Sequence, residues 1–194
     1  DEGTYFVTCT VNTTDDAQAE NNATYLRFYV GDNHRWYMYD DNNDPDNYSG
    51  FSEGNGWGLA FAPVSYPAKV TQIRMGVSGQ GNADFRIYMN TGENGAPAGE
   101  AVWSTQHAIT ADGWVTVDVT PPVLLFEGES FTVSHIYHTA SAITHGNDVD
   151  QPNQAGNLGM PIIAWQPSSN GTEWFEDEGG NLCIQAYIDT TNAV

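Results

Sequence analysis

From Trp57 to Ile188 the chain is a succession of short runs with alternating apolar residues, each closed by Gly, Pro, Asp or Asn, and no segment carries a helical period. ADFRIYMN (83–90), WVTVDVT (114–120), VLLFEG, SFTVSHIYHT (130–139), IIAW, TEWF and LCIQAYID follow one another too closely for crossover helices. Period-two alternation buries one face of a strand, and strands so closely spaced pair antiparallel through turns. The predicted fold is therefore all-β, an antiparallel β-sandwich. Within the long run Ala68 to Ser78 the apolar period slips between Val70 and Ile73, which predicts a bulge.

In front of these strands stands TYFVTCTV (4–11), with Tyr5, Val7, Cys9 and Val11 on one face, followed by the polar run NTTDDAQAENN. Such a run has nothing to bury, so the expectation is an N-terminal strand on a tether. Residues 1–23 form the strand and linker, and residues 24–194 a single sandwich domain. TYLRFYVG (24–31) and RWYMY (35–39), split at Gly31-Asp32-Asn33, are expected to form a hairpin.

Twenty-five acidic residues face five basic ones, for a net charge of −20, so nucleic acid and anionic membrane surfaces are repelled. No run approaches the roughly 18 apolar residues of a membrane span, so no membrane insertion is expected. Abundant Asn, Thr, Gly and Ser with a single lysine, Lys69, suit an extracellular or cell-surface location. The two cysteines, Cys9 and Cys183, favour a disulfide in such a setting, with two buried thiols as the other option. A bridge closing nearly the whole chain would contribute about 5 kcal/mol in the loop-entropy model. Four glycosylation sequons occur, at Asn12, Asn22, Asn47 and Asn170.

Tyr39-Asp40-Asp41, Gly56-Trp57, Phe61-Ala62-Pro63-Val64-Ser65-Tyr66-Pro67, Gly95-Ala96-Pro97, Gly113-Trp114 and Pro121-Pro122 occur in that order along residues 37–188. In this the chain resembles the jelly-roll-like β-sandwich modules of secreted bacterial enzymes and surface proteins. The resemblance implies a jelly-roll-like sandwich and a secreted protein. It implies no particular activity.

The candidate sites are few. Asp40, Asn42, Asp44 and Asp46 alternate in a loop bounded by Pro and Gly, and oxygen donors one residue apart can turn inward around calcium, the expected cofactor. A solvated acidic loop is the competing account. Trp36, Trp165 and Trp174 fall near loops or strand ends, where an exposed indole can stack on the flat face of a sugar. His135, His138 and His145 are read as surface histidines, because residues three apart on a strand point to opposite faces and do not share a metal ion. No G-x-S-x-G, H-E-x-x-H or P-loop pattern is present, and the chain is not expected to be an enzyme.

Two functions fit. In one, the protein is a self-associating extracellular structural subunit of a filament, tube or surface layer, in which TYFVTCTV adds to the sheet of the next copy with calcium support. In the other it is a monomeric carbohydrate-binding or adhesion module.

Overall fold

The computed structural model describes residues 3–10, 23–30, 34–38, 40, 44–63, 65–139, 141–148, 163–177 and 181–190. The strands are β1 (Gly3–Thr10), β2 (Ala23–Val30), β3 (His34–Tyr37), β4 (Asn47–Ser49), β5 (Gly56–Phe61), β6 (Ala68–Ser78), β7 (Gly81–Met89) and β8 (Trp103–Ile109). They continue with β9 (Gly113–Leu125), β10 (Phe131–Ile136), β11 (Thr144–Asp148), β12 (Ala164–Ser168), β13 (Glu173–Asp177), β14 (Asn181–Leu182) and β15 (Ile184–Asp189). The architecture is the expected one: two antiparallel sheets packed face to face in a jelly-roll-like sandwich.

One sheet runs β13-β12-β5-β10-β7-β8 and the other β14-β11-β6-β15-β3, with β4 on β11 and β9 on β6. Between them lie Leu59 and Phe61 of β5, Phe85 and Ile87 of β7, and Phe131 and Val133 of β10. Val70, Ile73, Met75 and Val77 of β6 and Ile184, Ala186 and Ile188 of β15 meet them from the opposite sheet. Each such fully buried Val, Leu, Ile, Phe or Met side chain is worth roughly 1.5–3 kcal/mol of transfer free energy, so the inner faces of these strands are committed. Function is left to the outer faces, the strand ends and the loops.

The front of the chain departs from expectation. β2 does not pair with β3; it pairs with β1 in a two-stranded sheet of its own, with Tyr5 opposite Phe28, Val7 opposite Leu26 and Cys9 opposite Thr24. β3 instead joins β15, with Trp36 opposite Tyr187. Val11 and the Gly31-Asp32-Asn33 turn lie outside the described residues. WVTVDVT and VLLFEG, read as two strands, are the halves of β9, which continues through Pro121-Pro122.

The Cys9–Cys183 disulfide is not made in this structure. Cys183 is a buried thiol. Its carbonyl accepts the Gly76 N–H at 2.9 Å and its own N–H donates to the Gly146 carbonyl, which ties it to β6 and β11. A Cβ placed on Gly76 would meet Pro45 Cγ at 2.5 Å and Cys183 Cβ at 2.9 Å, so ring, thiol and glycine fit one another closely. Cys9 belongs to the separate β1–β2 ribbon.

Candidate functional site

The predicted bulge is present, and it shapes the outer face of the larger sheet. Between Val70 and Gln72 the register of β6 shifts against β9, where Val70 faces Val123 but Gln72 faces Asp118. On its other side β6 shifts against β15 between Tyr187 and Ile188. Thr71 has no register partner in either ladder, while β9 detours through Val119, Thr120, Pro121 and Pro122. Pro cannot donate to a ladder, which is why the detour sits there. The outcome is a groove of about 530 Å³, lined by Thr71, Gln72, Asp118, Val119, Thr120, Pro122 and Tyr187.

A row of side chains crosses this face at one level. Trp36 lies opposite Tyr187, Tyr187 opposite Gln72, and Gln72 opposite Asp118. Directly opposed residues share a face, and all four are partly or fully exposed. The Trp36 and Tyr187 rings meet edge to face at 5.3 Å, and Gln72 Nε2 donates to Asp118 Oδ1 at 2.8 Å. The row therefore joins a braced aromatic wall to an oriented amide–carboxylate pair. Of these four residues sequence reasoning named only Trp36. The slip between Val70 and Ile73 was the available signal for the rest, because bulges redirect side chains beside binding sites.

The other tryptophans do different work. Trp165, expected at the surface, is only 4% exposed. Trp174 is half-buried, packs edge to face on Tyr88 at 4.9 Å and donates its indole N–H to the Gly171 carbonyl.

Two of the three histidines do not lie at the surface. His135 and His145 are buried, one from each sheet, with ring centroids 5.9 Å apart. Both His145 nitrogens lack a hydrogen-bond partner. Burial lowers the His135 pKa to about 4 and depresses that of His145 well below its usual value, with His135 adding to the effect. Strand parity explains the error: His135 follows Phe131 and Val133 on the inward side of β10, so alternation carries it between the sheets.

His138, beyond the end of β10, is different. Its Nδ1 lies 2.7 Å from Glu53 Oε1 and its Nε2 2.9 Å from Asp84 Oδ2. Glu53 Oε2 also accepts the Thr139 N–H. Asp84 is buried and takes two hydrogen bonds from Arg86, at 2.6 and 2.9 Å. The Glu53 and Asp84 hydrogen bonds raise the His138 pKa. In Asp84, burial alone would raise the pKa, but hydrogen bonds from Arg86 and His138 bring it below the usual value. With a carboxylate on each ring nitrogen, His138 has no nitrogen left to act as a general base. The cluster is a clasp between the loop before β5, β7 and the end of β10. A second hollow, about 420 Å³, lies beside it and is lined by Asp84, Arg86, Ala101, Ser104, Thr105 and Gln106. None of these six residues is aromatic.

In the acidic loop Asp40 is buried and accepts from Gln185 Nε2 at 2.8 Å. Asp44 and Asp46 are exposed, and Asn42 lies outside the described residues. Among the described residues, no three His, Cys, Asp or Glu side chains converge as a metal-holding group. Asn47 and Asn170 are exposed; Asn12 and Asn22 lie outside the described residues.

No family model and no curated protein matches this chain. Solved structures do. The cysteine protease and lectin-like domains of Cwp84, a surface layer associated protein of Clostridium difficile, superpose with a TM-score of 0.57 at 15% identity. That match covers 85% of this chain and 38% of the other. Clostridial Cwp84 after propeptide cleavage gives 0.58 at 15% identity, over 89% of this chain and 45% of the other. The likeness is one of fold. This chain spans less than half the length of either structure.

Proposed function

We propose that this chain is a secreted, non-catalytic β-sandwich module, extracellular or at the cell surface, that binds carbohydrate in the groove at the β6 bulge. The observation that carries the reading is the row Trp36, Tyr187, Gln72 and Asp118. An aromatic ring offers a sugar its apolar face, while a fixed amide and carboxylate bond its hydroxyls. The groove volume falls in the usual range for small-ligand sites, about 300–1,000 Å³. Likeness in fold to a structure containing a lectin-like domain of a surface layer associated protein agrees with this reading.

The test is retention on immobilised polysaccharides and a glycan array, comparing wild type with Tyr187→Ala and Asp118→Ala. Wild type is retained by at least one glycan and both variants are released. Absence of retention on every glycan, or retention unchanged in both variants, overturns the proposal.

A second reading, a self-assembling structural subunit, is favoured by the β1–β2 ribbon, which forms its own sheet. A two-stranded ribbon is marginally stable in water and gains from a further strand. Under this reading residues 1–12 connect one copy to the next, with calcium at the acidic loop neutralising the contacts. Removal of residues 1–12 then abolishes polymers seen by light scattering and electron microscopy; polymers that survive the truncation eliminate it.

A further inference from the structure

Three Asn-Gly steps occur along the chain, Asn55-Gly56, Asn94-Gly95 and Asn170-Gly171. Such a step can react with itself, because glycine has no Cβ to shield its backbone nitrogen from the amide carbon of the preceding side chain. The two groups are held a few bonds apart, so each sees the other at a high effective concentration. What restrains the reaction is the fold, which must let the main chain swing until nitrogen and carbon meet.

Two of the steps are locked. Asn55 donates its N–H to the Ser52 carbonyl at 3.1 Å, and its own carbonyl accepts the Tyr137 N–H at 2.7 Å. Gly56 then opens β5 opposite Ile136, and the position a Cβ would take there is filled by the His135 carbonyl. Asn170 donates its N–H to the Gly54 carbonyl at 2.9 Å, and its carbonyl accepts from Arg86 Nη1 at 2.7 Å. The Gly171 N–H is bonded to the Ser168 carbonyl at 2.9 Å, and Gly171 abuts the Tyr88 hydroxyl.

The third step is open. Glu93, Asn94 and Gly95 form one exposed turn between β7 and β8, with no buried residue in it. Asn94 has φ 55° and ψ 24°, the left-handed region that costs a residue other than glycine. The Gly95 N–H makes only a 3.3 Å bond to the Gly92 carbonyl, and a Cβ built on Gly95 would meet nothing within 4 Å. Few packing contacts and solvent-exposed backbone bonds mark a segment that opens locally at little cost.

We infer that Asn94 is a self-modification site, converted with water to an aspartyl or isoaspartyl residue while the protein stays folded. The Gly95 nitrogen gives its proton to hydroxide and attacks Asn94 Cγ. The N–Cγ bond forms, the Cγ–Nδ2 bond breaks, and Nδ2 takes a proton from water and leaves as ammonia. Water then opens the five-membered succinimide. Cleavage between the nitrogen and Cγ gives an aspartyl residue; cleavage between the nitrogen and the Asn94 carbonyl carbon gives isoaspartate, with the main chain routed through the side chain. Both products set a new carboxylate beside Glu93 in solvent and leave the core untouched. Glu93, Asn94 and Gly95 line neither hollow, so the inference is independent of what the groove binds.

The full chain, incubated folded at mildly alkaline pH where hydroxide drives the first step, is then digested and mapped by mass spectrometry, with isoaspartate counted by enzymatic methylation. The peptide carrying Asn94 should show the mass change of an amide-to-acid exchange, together with methylatable isoaspartate. It should convert about tenfold or more faster than the peptides carrying Asn55 or Asn170, where two or more further hydrogen bonds must open. The chain unfolded in urea should react at all three steps, and Asn94→Gln, which needs a slower six-membered ring, should leave this turn unmodified. An Asn94 amide that persists in the folded chain while the unfolded chain reacts overturns the inference. So does conversion of Asn55 or Asn170 in the folded chain at the rate of Asn94.

Discussion

The imidazole rings of His135 and His145 lie 5.9 Å apart between the two sheets, and neither ring nitrogen of His145 has a hydrogen-bond partner. An acidic chain thus keeps two ionisable bases neutral in its interior. Protonation there places two like charges in an apolar setting.

This yields an acid limb of stability. Folded-state pKa values below the unfolded value of about 6.5 mean that the unfolded chain binds more protons between them, so stability falls as pH drops below about 6.5. With the His135 pKa at about 4, that residue's share of the loss reaches roughly 3 kcal/mol once the pH is near 4. His145 adds in the same direction. Denaturant midpoints measured between pH 7 and pH 4 check it, and His135→Phe should flatten the limb.

His138 behaves oppositely. Its folded pKa is raised by Glu53 and Asp84, so its contribution is complete below the unfolded value and disappears as pH rises through the folded value. Replacement by Gln should cost about 1–2 kcal/mol at pH 6 and less at pH 9, where wild type has already lost the imidazolium. Equal losses at both pH values would contradict the charged clasp.

Two aromatic substitutions should separate stability from binding. Trp165→Ala removes a buried ring and should destabilise by about 3–5 kcal/mol while the folded fraction still binds glycan. Tyr187→Ala should lower glycan affinity about tenfold or more with a much smaller shift in melting temperature. Calorimetric titration and thermal unfolding of both variants decide between the two effects.

The acidic loop is best tested at its exposed members. Asp40 is engaged by Gln185, so replacing it perturbs the fold whether or not a cation binds. The double variant Asp44→Ala, Asp46→Ala avoids that. If the loop holds calcium, the ion should raise the wild-type melting temperature and leave the variant unchanged; equal responses would place the ion elsewhere.

Much of the fold was legible because the information it needs is local. Period-two alternation across Phe85, Ile87 and Met89, or Ile184, Ala186 and Ile188, announces an inward face, and two such faces make a sandwich. The bulge was legible for the same reason, since an inserted residue breaks the alternation inside one strand. The same rule would have turned His135 inward beside Val133, but a polar side chain on an apolar face was read by its chemistry instead of its parity. Trp165 failed in the same manner, read by its proximity to a loop.

By itself, then, the amino-acid order determined most of the strands, the apolar residues of their inward faces, the break at Thr71 and the negative charge. Which strand meets which was decided only by tertiary structure. β2 against β1, Trp36 against Tyr187, and Gln72 against Asp118 are choices between partners with similar alternation, and alternation carries no address. Packing of both sheets around one core sets those registers. The same packing gathers Trp36, Gln72, Asp118 and Tyr187, from strands far apart in the chain, into one row.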